Sequence, residues 1–136
     1  MRSVVLDTSA LIRLYVPDGP LPDGLEESLQ ASWRVETTLF IPELGLVETA
    51  QVLWKKESAG YLTKSDTDEI MSRILELPLE IVGHYDLLLD ALSIARLCQL
   101  TVYDSLFISL AQKHHSELIT ADQRLKKAFD EYSKTG

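Results

Sequence analysis

The sequence predicts a three-layer α/β/α domain around a central, mainly parallel sheet. Short apolar or β-branched runs alternate with longer stretches of helical periodicity, the order of a sheet built from strand–helix–strand units. The first run, Ser3-Val4-Val5-Leu6, is the kind of segment that a strand buried on both faces requires. No internal repeat, low-complexity tract or Pro/Gly/Ser-rich linker interrupts the 136 residues, so one domain spanning 1–136 is expected. A chain of that length buries about two-thirds of its surface on folding and needs no staple.

The elements follow in order. The first strand stops at Asp7. Thr8-Ser9 then offer caps for a short helix through Leu11, Ile12 and Tyr15, which Pro17 and Gly19 end. A second helix is expected over Leu21–Trp33 and a second strand over Thr37–Ile41. Pro42-Glu43 opens a longer helix to about Ser58, and Gly60 closes it. Thr63 to Leu77 is again helical, capped by Thr63 or Ser65 and broken by Pro78. A strand over Leu79–Val82 precedes a strongly apolar helix over Leu87–Leu100 and another over Tyr103–His114. Glu117–Thr120 forms the last strand and Gln123–Tyr132 the terminal helix.

Composition excludes several classes of protein. With 46% hydrophobic residues the chain is not generally disordered. The single cysteine, Cys98, rules out an intrachain disulfide scaffold and is expected as a small packed residue. No apolar run approaches the roughly 20 residues of a membrane span. Met1-Arg2-Ser3 leads straight into a strand and not into a signal peptide, so a cytoplasmic protein without membrane contact is expected. Thirteen Lys and Arg against twenty-one Asp and Glu leave a formal charge of −8, which disfavours non-specific attraction to polyanions. A nucleic-acid function therefore needs a local basic patch or a metal to offset that field.

Four carboxylates stand where open parallel sheets bind ligands, beyond the carboxyl ends of strands or on the helices that follow. Asp7 comes directly after the first strand and Asp122 two residues after Thr120; a helix N-cap explains each alone equally well. At 100° per residue, Asp104 falls on the apolar arc formed by Leu106, Phe107, Ile108, Leu110 and Ala111, with Ser105 and Ser109 outside it. An inward acid must be paired, protonated or metal-bound. The structural alternative is a capping box, Thr101-x-x-Asp104. Glu48 has Leu44 and Val52 a turn to either side but Gln51 and Lys55 nearby, a boundary position that a solvated side chain fits as well.

These segments together resemble a known family. Val4-Val5-Leu6-Asp7-Thr8-Ser9-Ala10-Leu11, Leu46-Val47-Glu48-Thr49-Ala50, Leu100-Thr101-Val102-Tyr103-Asp104-Ser105 and Leu118-Ile119-Thr120-Ala121-Asp122 are similar, in order and spacing, to the motifs of PIN domains. The VapC-type toxins of toxin–antitoxin pairs are the nearest in kind. The resemblance implies a Mg²⁺- or Mn²⁺-dependent endoribonuclease with Asp7, Glu48, Asp104 and Asp122 as its acidic cluster. It assigns Thr8, Ser9 and Thr120 to the accessory hydroxyls, and it implies an RNA substrate, an antitoxin partner and a 5′-phosphate product. Many relatives carry another acid or an aromatic shortly after the fourth carboxylate, where this chain reads Gln123-Arg124-Leu125.

The chemistry is coherent with those residue types. Four carboxylates within about 5 Å repel by about 3 kcal/mol per pair at an effective dielectric near 20, and a dication removes the conflict. All-oxygen ligation selects Mg²⁺ or Mn²⁺, and His84, His114 and His115 show no zinc-like pairing with Cys98. Arg13, Arg124, Lys126 and Lys127 are candidates for an RNA-binding rim, with Lys55 and Lys56 weaker ones; solvated helix faces explain them as well. Trp33, Trp54 and Tyr61 are expected mainly as core residues, with a surface covered by a homodimer partner or an antitoxin as the alternative. A non-catalytic PIN-like scaffold that binds RNA or protein is the rival outside enzymes. A phosphotransfer receiver lacks its phospho-accepting Asp after the strand at Leu79–Val82, and a haloacid-dehalogenase-like phosphatase lacks the acid where Ser9 stands.

Overall fold

A computed structural model describes residues 2–135; Met1 and Gly136, the ends of the expected single domain, lie outside the described residues. Four strands, β1 (Arg2–Leu6), β2 (Thr37–Pro42), β3 (Leu79–Val82) and β4 (Glu117–Ile119), form one all-parallel sheet in the order β3-β2-β1-β4. Between and after them run α1 (Thr8–Tyr15), α2 (Leu25–Trp33), α3 (Glu43–Ser58), α4 (Lys64–Leu75), α5 (Leu88–Cys98), α6 (Val102–Lys113) and α7 (Gln123–Thr135). A single 3-10 turn, Tyr85–Leu87, leads into α5.

The winding reverses at β1: β2 and β3 are added on one side of it and β4 on the other. Right-handed crossovers then put α1–α4 on one face and α5 and α6 on the opposite one, which makes three layers. In agreement, α2 and α3 pack on β2, while α6 packs on β1, β2 and β4 and is flanked by α5 and α7. Lying between two strands and two layers, Val4, Val5 and Leu6 lose all their exposure.

Several expectations are corrected. The second helix starts at Leu25 and not Leu21, because Pro20 and Pro22 hold the preceding residues extended and Gly24 turns the chain at φ +83°. The cap of α1 is Asp7, whose carboxylate accepts the Ala10 N–H, and not Thr8 or Ser9. Ser105 and Ser109 do not lie outside the buried arc of α6: every residue from Ser105 to Ala111 is buried, since the helix is covered by the sheet and by α5 and α7. Ser105 tolerates this by donating its hydroxyl to the Thr101 carbonyl at 2.8 Å. Trp33, Trp54 and Tyr61 are surface residues and not core, with 59%, 55% and 80% exposure. Cys98 is partly buried against the core, and burial raises its thiol pKa.

One glycine sets the geometry that matters next. A Cβ on Gly45 would stand 2.8 Å from Ile41 Cγ1 and 3.3 Å from Phe107 Cε1, and both of those side chains are buried. Only glycine lets the first turn of α3 sit this close to the end of β2 and to α6, which brings Glu48 over the carboxyl ends of the strands.

Candidate active site

β1 and β4 are neighbours, and their carboxyl ends flank the point where the winding reverses, the crevice in which open α/β sheets bind ligands. Asp7 leaves β1 there and is 4% exposed. Three donors hold its carboxylate: Ala10 N–H at 2.9 Å and Ser9 Oγ at 2.8 Å on Oδ1, and Thr120 Oγ1 at 2.6 Å on Oδ2. Thr120 stands just beyond β4 and its Oγ1 also accepts the Asp122 N–H at 2.9 Å, so the ends of the two strands are laced together through side chains. Burial raises the Asp7 pKa above its ordinary 3.8; the hydrogen bonds from Thr120, Ala10 and Ser9 oppose the shift, and Asp122 reinforces it.

The other acids arrive from separate elements. Glu48, half-buried on α3, lies opposite α1, where Thr8 Oγ1 donates to its Oε1 at 3.4 Å. Burial raises its pKa, and the charges of Asp104 and Asp7 raise it further. Asp104 is half-buried in the first turn of α6; burial and then Asp122 raise its pKa, while the Thr101 hydroxyl and Arg124 pull it down. Asp122 is exposed, and its Oδ1 accepts the Arg124 and Leu125 N–H groups at 3.0 and 3.3 Å at the start of α7. Helix capping thus accounts for part of their placement. Asp7 and Asp122 do cap helices, yet all four acids also line one cavity of about 290 Å³.

The predicted basic rim divides. Arg13 stands between two openings and lines both the acidic cavity and the larger groove beside it. Lys126 lines that larger groove, of about 930 Å³, beyond the Pro17–Gly24 loop, which contains none of the four acids. Arg124 turns its guanidinium to the Gln99 carbonyl at 2.9 Å while still bearing on Asp104. Lys127 is exposed on α7 and lines neither cavity. The cation that sequence reasoning ranked too low is Lys56, which lines the acidic cavity. Its signal was the row Glu48, Val52, Lys56 at intervals of four, one stripe along α3, and all three residues face the cavity.

Among the described residues, no three His, Cys, Asp or Glu side chains are arranged as a ready metal cage. Direct ligation by three side chains is thus not preformed, and an ion held here would need water to complete its shell. Mg²⁺ keeps several of its waters and is commonly held by one or two carboxylates directly. Asp7 and Asp104, raised by burial and by Asp122, and Glu48, raised by burial and by Asp104 and Asp7, line one cavity and form a donor set that a dication relieves. The residues present fit such an ion.

The comparisons agree with this geometry. The PIN domain family model matches residues 4–130, and the chain belongs to that family. Within it, the relatives found are VapC proteins. Ribonuclease VapC3 of Pyrobaculum aerophilum is 31% identical over 130 residues, covering 93% of this chain and 94% of the relative. Ribonuclease VapC3 of Mycobacterium tuberculosis is 27% identical over 128 residues, covering 94% and 88%. Among solved structures, PAE2754 from Pyrobaculum aerophilum superposes with a TM-score of 0.72 at 20% identity, over 93% of this chain and 84% of that one. Mycobacterium tuberculosis VapC20, a sarcin-ricin loop cleaving toxin, gives 0.62 at 14% identity over 92% and 94%. At such identities these two likenesses speak for the fold.

Proposed function

We propose that this chain is a divalent-metal-dependent endoribonuclease, a cytoplasmic toxin of a toxin–antitoxin pair that hydrolyses RNA phosphodiesters. The observation that carries the reading is the convergence of four acids from four separate elements on one small cavity at the winding reversal. Kinship with proteins named ribonucleases supports the choice of RNA.

In this reading Asp7 and Asp104 are the principal ligands of Mg²⁺ or Mn²⁺, Asp122 binds directly or through water, and Glu48 holds a water or a second ion. The ion, when bound, supplies Lewis-acid polarisation of the phosphate and a more acidic water. The chain's own residues do the remaining work. Ser9 and Thr120 fix the Asp7 oxygens so that they need no reorganisation as charge develops. Glu48, within reach of the Thr8 hydroxyl, is the carboxylate placed to accept a proton from the attacking water. The water oxygen bonds to phosphorus as the P–O3′ bond breaks, and the leaving 3′ oxygen takes a proton from solvent, which gives a 3′-hydroxyl and a 5′-phosphate. Arg13 bears on the phosphate backbone by charge, without reading bases.

Calorimetric titration with Mn²⁺, run beside cleavage of a labelled RNA, tests the proposal. Asp7→Asn is expected to weaken Mn²⁺ binding and abolish cleavage with the circular-dichroism spectrum retained. Full cleavage by that variant, or a wild-type protein that takes up no Mn²⁺, refutes it and favours a non-catalytic scaffold. The same reading takes an antitoxin as the partner that fills the cleft. A second copy of the chain is its candidate for covering the α3 side chains Val47 and Trp54, both more than half exposed.

A further inference from the structure

The cavity is lined by five carboxylates, the four above and Asp18, and among the described residues by two cations, Arg13 and Lys56. Both cations are already engaged, and by the same loop. Lys56 Nζ donates to Asp18 Oδ2 at 2.6 Å, and Arg13 Nη1 donates to the Pro20 carbonyl at 2.8 Å. Pro17–Gly24 thus crosses beside the acids as a strap, tied at one point to α3 and at another to α1.

The two ties differ in kind. Arg13 meets a neutral carbonyl and keeps its charge available to the cavity. Lys56 meets a carboxylate, so its charge is cancelled where a polyanion most needs it. Its side chain is only 22% exposed and lines the cavity, whereas Asp18 is 44% exposed on the loop. An ion pair with a partner this exposed is weak and screened by salt. A phosphate arriving in the cleft offers the ammonium an alternative anion of comparable quality.

We propose that Lys56 is a phosphate-binding residue of the RNA cleft and that Asp18 holds its ammonium until an RNA phosphate displaces it. This rests on the ribonuclease reading and adds a substrate contact and a competing internal anion. The contact is with the backbone, so it acts alike on all sequences. Release of Asp18 from Lys56 frees the strap at one of its two ties.

The test compares Lys56→Gln, Lys56→Arg and Asp18→Asn, using fluorescence anisotropy of a labelled single-stranded oligouridylate in EDTA across a salt series, with steady-state cleavage in Mn²⁺ alongside. Lys56→Gln is expected to weaken binding about five- to tenfold and to flatten the slope of log K against log salt by about 0.7, the share of one phosphate contact on a single strand. It should raise KM more than it lowers kcat. Lys56→Arg should restore most of the affinity, and Asp18→Asn should tighten binding. The opposite signs of Lys56→Gln and Asp18→Asn are the decisive feature, because a merely structural tie predicts that both variants loosen the strap and change RNA affinity in the same direction. That outcome, or an unchanged affinity and salt slope in Lys56→Gln, overturns the inference. If the wild type still cuts RNA in that case, the ribonuclease reading stands; if the wild type binds and cuts no RNA, both fall. Thermal melts verify folding, and should Lys56→Gln fail to fold, the Arg and Asp18 variants still decide the sign.

Discussion

The chain uses the pattern Thr-x-x-Asp twice at a helix start, and the two copies have different fates. In Thr63-x-x-Asp66 both reciprocal bonds form: Thr63 Oγ1 accepts the Asp66 N–H and Asp66 Oδ2 accepts the Thr63 N–H, each at 3.0 Å. In Thr101-x-x-Asp104 only the first forms, at 3.0 Å, and the carboxylate turns into the cavity instead. Asp66 is fully exposed and its pKa is lowered, first by the Thr63 backbone N–H. Asp104 is half-buried and its pKa is raised by burial and by Asp122. An identical local motif therefore serves helix initiation in one place and gives up half of it in the other. The surroundings decide: Asp104 keeps the Thr101 hydroxyl and Arg124 as favourable neighbours, yet it stands beside Asp122 and Glu48 at the cavity, a crowding of carboxylates typical of functional sites.

The contrast is sharpest in activity. Asp104→Asn is expected to lower Mn²⁺-dependent RNA cleavage by about a hundredfold or more, the scale on which charged groups at a reacting centre act. Asp66→Asn should leave the rate at the wild-type value, and a comparable loss in both variants would erase the distinction. Next in size, Gly45→Ala forces a methyl into space already filled by Ile41 and Phe107 and should cost about 1–3 kcal/mol in urea denaturation. It should slow cleavage as well, because Glu48 rides on the same helix.

The smallest effect lies in the pH dependence of stability in EDTA, and its sign differs between the two aspartates. Asp7, Glu48 and Asp104 have folded pKa values above their ordinary 3.8, 4.5 and 3.8, so their contribution is full below those values and is lost as pH rises through the folded ones. Asp66 runs the other way: its contribution is present above 3.8 and is lost as pH falls through its lowered folded value. Denaturation midpoints measured from acid to neutral pH should show Asp104→Asn flattening the decline on the neutral side and Asp66→Asn flattening it on the acid side. Adding Mn²⁺ at neutral pH should restore midpoints in the wild type and much less in Asp104→Asn.

Much of this architecture is legible in residue order because parallel sheets write themselves plainly. Val4-Val5-Leu6 is apolar at successive positions since β1 is covered on every side, and Pro42-Glu43 and Gly60 punctuate α3 where backbone chemistry demands it. The four acids are legible as a set through family likeness, and their meeting in one cavity is a tertiary fact that no local pattern contains. Helical-wheel reasoning reached Asp104 on a faulty premise. It assumed one buried face, but α6 is enclosed on all faces over Ser105–Ala111, so hydropathy no longer separates inside from outside. The aromatics misled for the converse reason: a sandwich of this size fills its interior with Leu, Ile and Val, and Trp33, Trp54 and Tyr61 are left at the surface. Lys56 ranks only as a weaker candidate in sequence because its place at the cavity depends on where the loop after α1 runs, and loop paths are not periodic.

The lacing of β1 to β4 has a consequence for how the protein comes into being. Thr120, which donates to Asp7, is separated from it by 113 positions, and the β4 strand that pairs with β1 is made long after it. While a chain is still on the ribosome, β1 lacks its neighbour on that side and the first carboxylate lacks one of its anchors. The acidic cavity therefore stays incomplete until the segment that carries Thr120 and Asp122 has been made and has paired with β1.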